Sequence, residues 1–282
     1  MLEGVKIYPP PWLAYPGYDI DSKVWNKSCR YLEKFKGWYG RLTEDEKLEY
    51  KRLFPEPISW KGYYEGKEEC MKIKNGEFSI PVWNQNGLPK YNVQKIMSEN
   101  PNKDAMDIVM FFGHTSKDCK LTKACFSQWY NKSFTNNEYR YCCMEQFMMS
   151  KKAEIFGDYQ TLYEIMESDD PKTIKRYGRE VKGFDEKIWN KAKYWIVVNG
   201  NYHKFIQNKD LRDFLFSTGD KVMAEASPYD GIWGIKLPES LIDSRYPEKW
   251  QGENLLGFAL MEVRDELRRI CKNEHLCDMS VI

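Results

Sequence analysis

The chain has 282 residues, of which 42% are hydrophobic and 30% charged, and its net charge is +1. This composition supports a sizeable core in one large soluble domain, or in one domain with a substantial extension. Residues 1–104 carry a net charge of +2 and the remainder −1, which excludes the basic excess that holds a protein firmly on nucleic acid, so we expect any nucleic-acid contact to be local and brief.

The beginning of the chain, "MLEGVKIYPPPW", lacks the basic and apolar segments of a secretory signal, so we expect a cytoplasmic protein. The stretch "YPPPWLAYPGY" is not expected to form a regular helix, because its four prolines fix φ and remove backbone donors. The next stretch, "DSKVWNKSCRYLEKFKGWYGRL", predicts an amphipathic helix. Its apolar residues are Val24, Trp25, Tyr31, Leu32, Phe35 and Trp38.

A second helix is predicted for "TEDEKLEYKRLF", where Thr43 is a plausible N-cap and Glu46 completes a capping box. The stretch "MKIKNGEFSIPVW" predicts two short strands with a hairpin turn at Asn75-Gly76. Five of the ten tryptophans lie before residue 105. We therefore predict that residues 1–104 form an aromatic-rich extension packed on a main domain of residues 105–282.

The main domain begins with "AMDIVMFF", a predicted strand that ends at Gly113. A helix is predicted over roughly residues 143–156 and ends at Gly157. The sequence "SDDP" at 168–171 is a strong helix start, and Gly178 is the expected end of that helix.

The stretch "FDEKIWNKAKYWIVVNGNYHKFIQN" predicts a long helix, and Asn208 can cap the helix that follows. "KVMAEAS" resembles a strand and is followed by the turn "PYDG" and the short stretch "IWGIKL", while "ENLLGFALMEVRDELRRI" predicts the last helix. The whole pattern predicts an α+β fold that is predominantly helical with a small β-sheet. The longest apolar run, residues 255–263, is too short to span a membrane, so we expect no membrane association.

The eight cysteines are scattered and contain no CxxC pair. Vicinal Cys142 and Cys143 are poor disulfide partners, and no histidine spacing completes a zinc site. We interpret the cysteines as reduced structural thiols and predict no metal and no cofactor.

The stretch "CMEQFMMSKKAEIFGD" at 143–158 places Glu145 and Lys152 seven residues apart. Seven steps of about 100° fall roughly 20° short of two full turns, so the two side chains point the same way. They either pair on a solvated face or reach together into a cavity. Methionines, a phenylalanine and an alanine leave little purely polar face, which favours at least one charge beside a cavity.

Three further segments carry candidate residues. Asp230 and Trp233 lie in "EASPYDGIWGIKL", a strand–turn–strand setting, where the alternative is an Asx turn and a core tryptophan. The loop "FSQWYNKSF" at 126–134 offers hydroxyl, amide and indole groups, and the alternative is a packed turn. Asn254 in "GENLLG" stands at a helix start, where asparagine is usually a cap. The three histidines are too dispersed for a triad, and no nucleotide-binding glycine motif is present.

Taken together, these stretches resemble the NADAR family, also called YbiA-like. The resemblance rests on the order and spacing of motifs over about residues 107–268. They are "FFGHTSKDCKLTKACFSQWY", "MEQFMMSKKAEIFGD", "DPKTIKRYGREVKGFD", Trp189, "GNYHKFIQN", "LRDFLFSTGDKVMAEASPYDGIWGIKL" and "WQGENLLGFALMEVRDEL". Two departures, Gln128 where the family often has Asn and Ser150-Lys151 where a Gln commonly precedes the lysine, keep polar character.

The resemblance implies an N-glycosidase that cleaves the bond between ribose C1 and an exocyclic amine. For that chemistry we predict Glu145, Lys152 and Asp230 as catalytic residues: Lys152 attacks C1 as an amine, Glu145 moves protons, and Asp230 orients the ribose hydroxyls or the water. In the simpler alternative, Glu145 activates water and Lys152 only stabilises charge. Trp189 and Trp233 would wall or stack on ring systems. Further ligand contacts implied by their places in the motifs are Ser127, Gln128, Trp129 and Asn254.

Two substrates fit that chemistry. The first is ADP-ribose attached to guanine in DNA or RNA, with transient nucleic-acid contact, and it is preferred because the aromatic-rich extension could help to hold a larger substrate. The second is a phosphoribosylamino-pyrimidine intermediate of riboflavin synthesis. A third interpretation is a non-catalytic module that binds ADP-ribose. The oligomeric state is not indicated.

Overall fold

The computed structural model describes residues 6–23, 25, 30–115 and 120–282. Within these ranges the chain has ten α-helices: α1 (Pro11–Ala14), α2 (Tyr31–Tyr39), α3 (Glu44–Leu53), α4 (Val93–Glu99), α5 (Met144–Ile155), α6 (Tyr159–Met166), α7 (Pro171–Glu180), α8 (Glu186–Gln207), α9 (Lys209–Ser217) and α10 (Leu255–Ile270). None of them combines the length and apolar character that a membrane span requires.

The described strands are short and form three separate two-stranded sheets. Two are antiparallel hairpins, and the third pairs distant parts of the chain in parallel. The strands are β1 (Lys72–Asn75), β2 (Phe78–Pro81), β3 (Val109–Phe111), β4 (Phe134–Asn136), β5 (Tyr139–Tyr141) and β6 (Met223–Glu225). The predicted helix-rich α+β class is confirmed, although the predicted small sheet is divided among these three pairs.

Several local predictions in the first hundred residues are confirmed. Thr43 and Glu46 form the reciprocal capping box of α3. The predicted hairpin is present, although the turn residues are Gly76 and Glu77, because Asn75 already pairs with Phe78 across the ladder. The predicted amphipathic helix is seen as α2, and Val24 lies outside the described residues.

The prediction that the proline-rich start contains no helix is wrong. Pro11 begins the one-turn helix α1. A proline in the first turn of a helix removes no intrahelical hydrogen bond, and its fixed φ already suits the helix. Trp12 and Leu13 of this turn are buried in the aromatic cluster of the extension.

The centre of the main domain is a group of helices around α5. This helix packs against α6, α7 and α8, and α8 packs against α10. Two glycines allow close approach at these contacts. A Cβ on Gly200 of α8 would lie 2.5 Å from Phe147 of α5, and one on Gly178 of α7 would lie 1.9 Å from the sulfur of Met149.

Two predictions at helix ends in this region are wrong. Gly178 does not end its helix, since α7 continues to Glu180, and its lack of a side chain instead lets α5 and α7 meet. Asn208 occupies the N-cap position of α9 but its side chain does not cap the helix. Its amide donates to the carbonyls of Ser133 and Lys204 instead.

The parallel pair of β3 and β6 lies against α10. The predicted strand at 105–112 is shorter than expected, and no strand follows the turn after β6. The predicted strand–turn–strand arrangement at Asp230 is therefore wrong. The segment that follows returns to β6 through a single backbone bond, from Ile235 N–H to the carbonyl of Glu225 at 2.9 Å.

Replacement of Gly257 by alanine is expected to destabilise the fold by about 3 kcal/mol. A Cβ at this position in α10 would lie 2.1 Å from the carbonyl oxygen of Met223, so the helix and β6 would have to separate. Gly37→Ala in α2 is the matched control. It has nothing within 4 Å of the new methyl group and should gain about 0.5–1 kcal/mol from helix propensity. Urea unfolding of the two variants checks this, and equal stabilities would contradict the close packing.

The extension is joined to the main domain by buried polar contacts as well as by a continuous apolar core. The Trp83 indole N–H donates to Asn199 of α8 at 3.2 Å, and the Asn199 amide donates to the carbonyl of Pro81 at 2.8 Å. The carboxylate of Glu262 on α10 accepts from the backbone N–H of Lys90 at 2.6 Å. The division at residue 104 stays a prediction, since the two parts share this core.

The cysteines that the structure describes are all free thiols: Cys70, Cys125, Cys142, Cys143, Cys271 and Cys277. This confirms the interpretation for those six, and Cys29 and Cys119 lie outside the described residues. Burial raises the pKa of the Cys125 thiol to about 12, as expected for an inert core thiol.

Candidate active site

A cavity of about 930 Å³ opens between α5, α7, the start of α8 and the loops that follow β3 and β6. This volume is at the upper end of the range of about 300–1,000 Å³ that small-molecule sites occupy. Its walls include eight of the nine residues named from the sequence: Ser127, Gln128, Trp129, Glu145, Lys152, Trp189, Asp230 and Trp233. The described residues that line it all come from position 112 onward, so the extension contributes none of the lining.

Helix α5 supplies the acid and the amine of the cavity. Glu145 and Lys152 both line it, two turns apart on one helix. The alternative of a pair on a solvated face does not hold, because Glu145 is only 2% exposed and lies among buried methionines. The seven-residue spacing therefore indicated the correct geometry.

The Glu145 carboxyl group is buried without a complete set of partners. Its Oε1 has no hydrogen-bond donor among the described residues. Burial raises the pKa of Glu145 to about 7, while the positive charge of Lys175 and the Trp129 side chain oppose that rise. A carboxyl group that titrates near neutral pH can both donate and accept a proton during a reaction.

The Lys152 ammonium group lies in a largely apolar part of the cavity. Its Nζ donates to the carbonyl of Gly178 at 2.7 Å, and it lies 4.3 Å from the ring centre of Phe184 and 5.6 Å from that of Trp189. Among the described residues no carboxylate lies within ion-pair distance of this nitrogen. Burial lowers the pKa of Lys152, which increases the fraction of neutral, nucleophilic amine. The two aromatic faces act in the opposite sense, because they favour the cation.

The loop with Ser127, Gln128 and Trp129 is held at the start of α5. The carbonyl of Gln128 accepts from the backbone N–H of Glu145 at 2.9 Å. Below the loop, the fully buried Lys204 of α8 donates to the carbonyls of Cys125 and Ser127 at 2.6 and 3.2 Å. Gln128 Oε1 is buried with no partner among the described residues, so the loop presents an unused acceptor.

Asp230 and Trp233 border the cavity from the loop after β6. Asp230 also forms the Asx turn given as the alternative, since its Oδ1 accepts from the backbone N–H groups of Ile232 and Trp233 at 2.9 and 2.8 Å. The turn and the cavity position are compatible, because one carboxylate oxygen remains outside the turn.

Asn254 is the one sequence-named residue that the structure does not bring to the cavity. It is fully buried at the start of α10 in a left-handed conformation with φ 54°. Its side chain makes no cap bond but holds β6, donating to the carbonyl of Met223 at 2.9 Å and accepting from Glu225 N–H at 3.1 Å. Its position thus indicates a structural role, fixing the strand that carries the cavity wall.

Three charged lining residues were missed by sequence reasoning: Lys175 and Arg179 of α7, and Glu225 at the end of β6. Glu225 stands among small apolar residues in "VMAEAS", and a lone acid in an apolar strand was a usable signal. Its Oε2 is buried with no partner among the described residues. Burial raises the pKa of Glu225 to about 8, and the neighbouring Asp230 carboxylate adds to that rise.

Glu225→Gln is expected to be more stable, relative to wild type, at pH 9 than at pH 5. Because the folded-state pKa lies above the unfolded value, the folded state binds the proton more tightly, and wild-type stability falls as pH rises from about 4.5 through about 8. The variant lacks that loss, so its free energy of unfolding relative to wild type should rise by about 4 kcal/mol between the two pH values. Urea unfolding at both pH values measures this, and an equal difference at pH 5 and pH 9 would contradict it.

The arrangement is suited to proton transfer and amine chemistry on a flat, anionic ligand. Two carboxyl groups with raised pKa values and one amine with a lowered pKa share a cavity walled by tryptophans. Within the described ranges, no three histidine, cysteine or acidic side chains cluster as metal ligands would. The cations of α7 offer electrostatic contacts for phosphate groups.

The segment of the chain that carries this cavity is similar to known proteins. The model of the NADAR domain matches residues 110–268, a span that holds the whole lining. The chain is 44% identical over 146 residues to N-glycosidase R617 of Acanthamoeba polyphaga mimivirus, covering 50% of this chain and 86% of that protein.

Two further similarities are more distant. The chain is 32% identical over 108 residues to the chloroplastic riboflavin biosynthesis protein PYRR of Zea mays, covering 37% of this chain but 16% of that protein. Its structure is similar to the NMR structure of the E. coli protein YbiA, with a TM-score of 0.45 and 23% identity. That match covers 56% of this chain and 84% of the other.

Proposed function

The chain belongs to the NADAR domain family, and we propose that this hydrolase of N-glycosyl compounds removes ADP-ribose from guanine bases in DNA or RNA. The observation that carries the proposal is the pair on α5: a buried acid with a pKa near 7 and an amine with a lowered pKa, in one cavity. In ADP-ribosyl-guanine, ribose C1 is bonded to an exocyclic amine, which allows the sugar ring to open to an imine. That imine is the electrophile an amine such as Lys152 can attack.

The reaction begins when Glu145 donates a proton to the ring oxygen and the sugar opens to the C1 imine. The neutral Lys152 Nζ adds to C1, and a proton passes from this nitrogen to the guanine amine. The bond between C1 and guanine then breaks, which leaves a Schiff base between Lys152 and the sugar and releases the unmodified base. Glu145 then takes a proton from the water that adds to the Schiff base, and departure of the Lys152 amine from C1 releases ADP-ribose.

The positions of the remaining lining residues support this sequence. The carbonyl of Gly178 can accept one hydrogen from a neutral Lys152 amine and leave the lone pair free. Asp230 keeps an oxygen outside its turn to orient ribose hydroxyls or the attacking water. Trp129, Trp189 and Trp233 supply faces on which guanine or adenine can stack.

The size and charge of the cavity favour ADP-ribosyl-guanine over a smaller substrate. Its volume of about 930 Å³ accommodates a dinucleotide-sized ligand. Lys175 and Arg179 offer two positive charges for a diphosphate. The argument from the extension receives no support, because its described residues do not line the cavity.

The second candidate is hydrolysis of a phosphoribosylamino-pyrimidine of riboflavin synthesis. The name of the Zea mays relative is the observation that favours it. The same acid and amine would act, because that substrate also has an exocyclic amine on C1. It carries one phosphate, so it would leave part of the cavity and one cation unused.

Product analysis on both substrates tests the proposal. Purified protein is incubated with an oligonucleotide that carries one ADP-ribosylated guanine and, in parallel, with the phosphoribosylamino-pyrimidine, and the products are separated by mass. We expect ADP-ribose and intact oligonucleotide from the first and slower release of ribose 5-phosphate from the second. Turnover of the pyrimidine alone would replace the proposal by the second candidate.

A further inference from the structure

Helix α7 carries an outward-facing stripe of four cations: Lys172, Lys175, Arg176 and Arg179. Their spacing of three and four residues places them on one side of the helix. None of the four forms an ion pair among the described residues, although Glu145 and Glu225 lie close enough to Lys175 to feel its charge. Four unpaired cations in eight residues form a local basic surface on a chain whose net charge is only +1.

The stripe borders an open groove that adjoins the cavity. Besides the four cations, the groove is lined by Trp129, Asp170 and Thr173. Asp170 is its acidic residue and caps α7, accepting from Thr173 N–H at 3.0 Å and from the Thr173 hydroxyl at 2.7 Å, and its one negative charge is outweighed by the four cations. The groove therefore presents mainly positive charge.

Two of the cations belong to both spaces. Lys175 and Arg179 line the cavity and the groove, and so does Trp129, which lies 5.6 Å below the Lys175 ammonium group. Lys172 and Arg176 are exposed and line the groove alone. The inner cations, Lys175 and Arg179, can thus contact a ligand within the cavity. The outer cations, Lys172 and Arg176, can contact only the part of a ligand that extends out of the cavity.

The lining of the cavity also includes exposed hydrophobic side chains. Tyr229 is 86% exposed, Phe112 55% and Ile232 44%, and all three line the cavity. Exposed aromatic rings beside a basic groove are the combination with which proteins hold single-stranded nucleic acid, because bases stack on the rings and phosphates contact the cations.

We propose that a single-stranded nucleic acid lies across the mouth of this cavity, with its backbone on Lys172 and Arg176 and neighbouring bases on Tyr229 and Phe112. This inference rests on the proposed function and extends it, because it makes the substrate strand single rather than duplex and names the surface that holds it. In a duplex the guanine amine pairs with cytosine at the floor of the minor groove, whereas an unpaired strand can present it to the cavity without the cost of unpairing.

Binding of an unmodified single-stranded DNA 12-mer tests the inference without depending on turnover. Fluorescence anisotropy is measured over a salt series for wild type, for Lys172→Glu with Arg176→Glu, and for the control Lys34→Glu with Lys272→Glu. The control lysines are exposed and line neither the cavity nor the groove. We expect the α7 variant to lose affinity by about tenfold or more and its log–log salt slope to shrink by about 1.4, roughly 0.7 for each lost phosphate contact. The control should bind like wild type.

A parallel assay with ADP-ribosyl-guanosine monophosphate separates the strand from the sugar diphosphate. The α7 variant should hydrolyse this small substrate at the wild-type rate and fail mainly on the modified oligonucleotide. Equal losses on both would mean that the outer cations serve the diphosphate and would overturn the inference, as would equal oligonucleotide binding by the α7 variant and the control. Selective strand binding without hydrolysis of either substrate would instead refute the proposed function and leave the binding surface standing.

Discussion

Lys152→Arg is expected to lower kcat by roughly 10⁴-fold or more, since it removes the attacking amine. Arginine keeps the positive charge and can still contact Phe184 and Trp189, but its delocalised guanidinium forms no Schiff base at neutral pH. Borohydride added during turnover should reduce the wild-type Schiff base to a stable secondary amine. Mass analysis should then find an ADP-ribosyl adduct on the peptide that contains Lys152.

Lys151→Arg is the matched control. Lys151 is the adjacent lysine of α5, but its ammonium group pairs with Glu154 at 2.9 Å and does not line the cavity. Arginine can keep that ion pair, so turnover and borohydride trapping should both persist. If Lys152→Arg retained more than about a tenth of wild-type kcat, Lys152 would only stabilise charge, and water activated by Glu145 would attack C1 directly.

Glu145→Gln is expected to lower kcat by about 10²- to 10⁴-fold, the usual contribution of a positioned acid–base group. Glutamine has nearly the same shape as the protonated carboxyl group, so the cavity should keep its form and its affinity for ADP-ribose. The rise of the pKa to about 7 predicts a second effect. The wild-type pH profile of kcat/KM should bend near pH 7, and that bend should be absent from the residual activity of the variant.

The control for this variant is Glu154→Gln, on the same helix but outside the cavity. It removes a carboxylate that pairs with Lys151, and it should leave both kcat and the bend near pH 7 unchanged. A bend that persisted in Glu145→Gln would assign the titration to another group, such as Glu225, whose pKa is raised to about 8. Binding of ADP-ribose by calorimetry confirms that the loss is chemical.

Features set by local spacing could be predicted from the sequence. The acid and amine of α5 followed from seven residues of helix, and the capping box at Thr43 followed from the type and spacing of its residues. The motif order from 107 to 268 indicated the family that the match over 110–268 shows. Each of these depends on residues that are close in the chain.

Features set by packing could not be predicted in this way. Glu225 reaches the cavity only because β6 pairs in parallel with β3, more than a hundred residues earlier. The residue type of Gly178 predicts a helix end, because glycine commonly has that role, whereas in the fold its lack of a side chain lets α7 contact Met149. Asn254 has the residue type of a ligand contact or a cap, and only the fold shows that its amide serves β6.

The separation of the extension from the cavity has a consequence for how this protein tolerates change. Trp83 and Lys90 contact α8 and α10 away from the cavity lining, and neither of these helices carries Glu145 or Lys152, so these contacts support the fold without touching the candidate site. Substitutions at these contacts should shorten the half-life of the enzyme at raised temperature without changing the bond that it cleaves. Heat stability and substrate selectivity therefore depend on separate parts of this chain. The first depends on the contacts of the extension with α8 and α10, and the second depends on the residues that line the cavity.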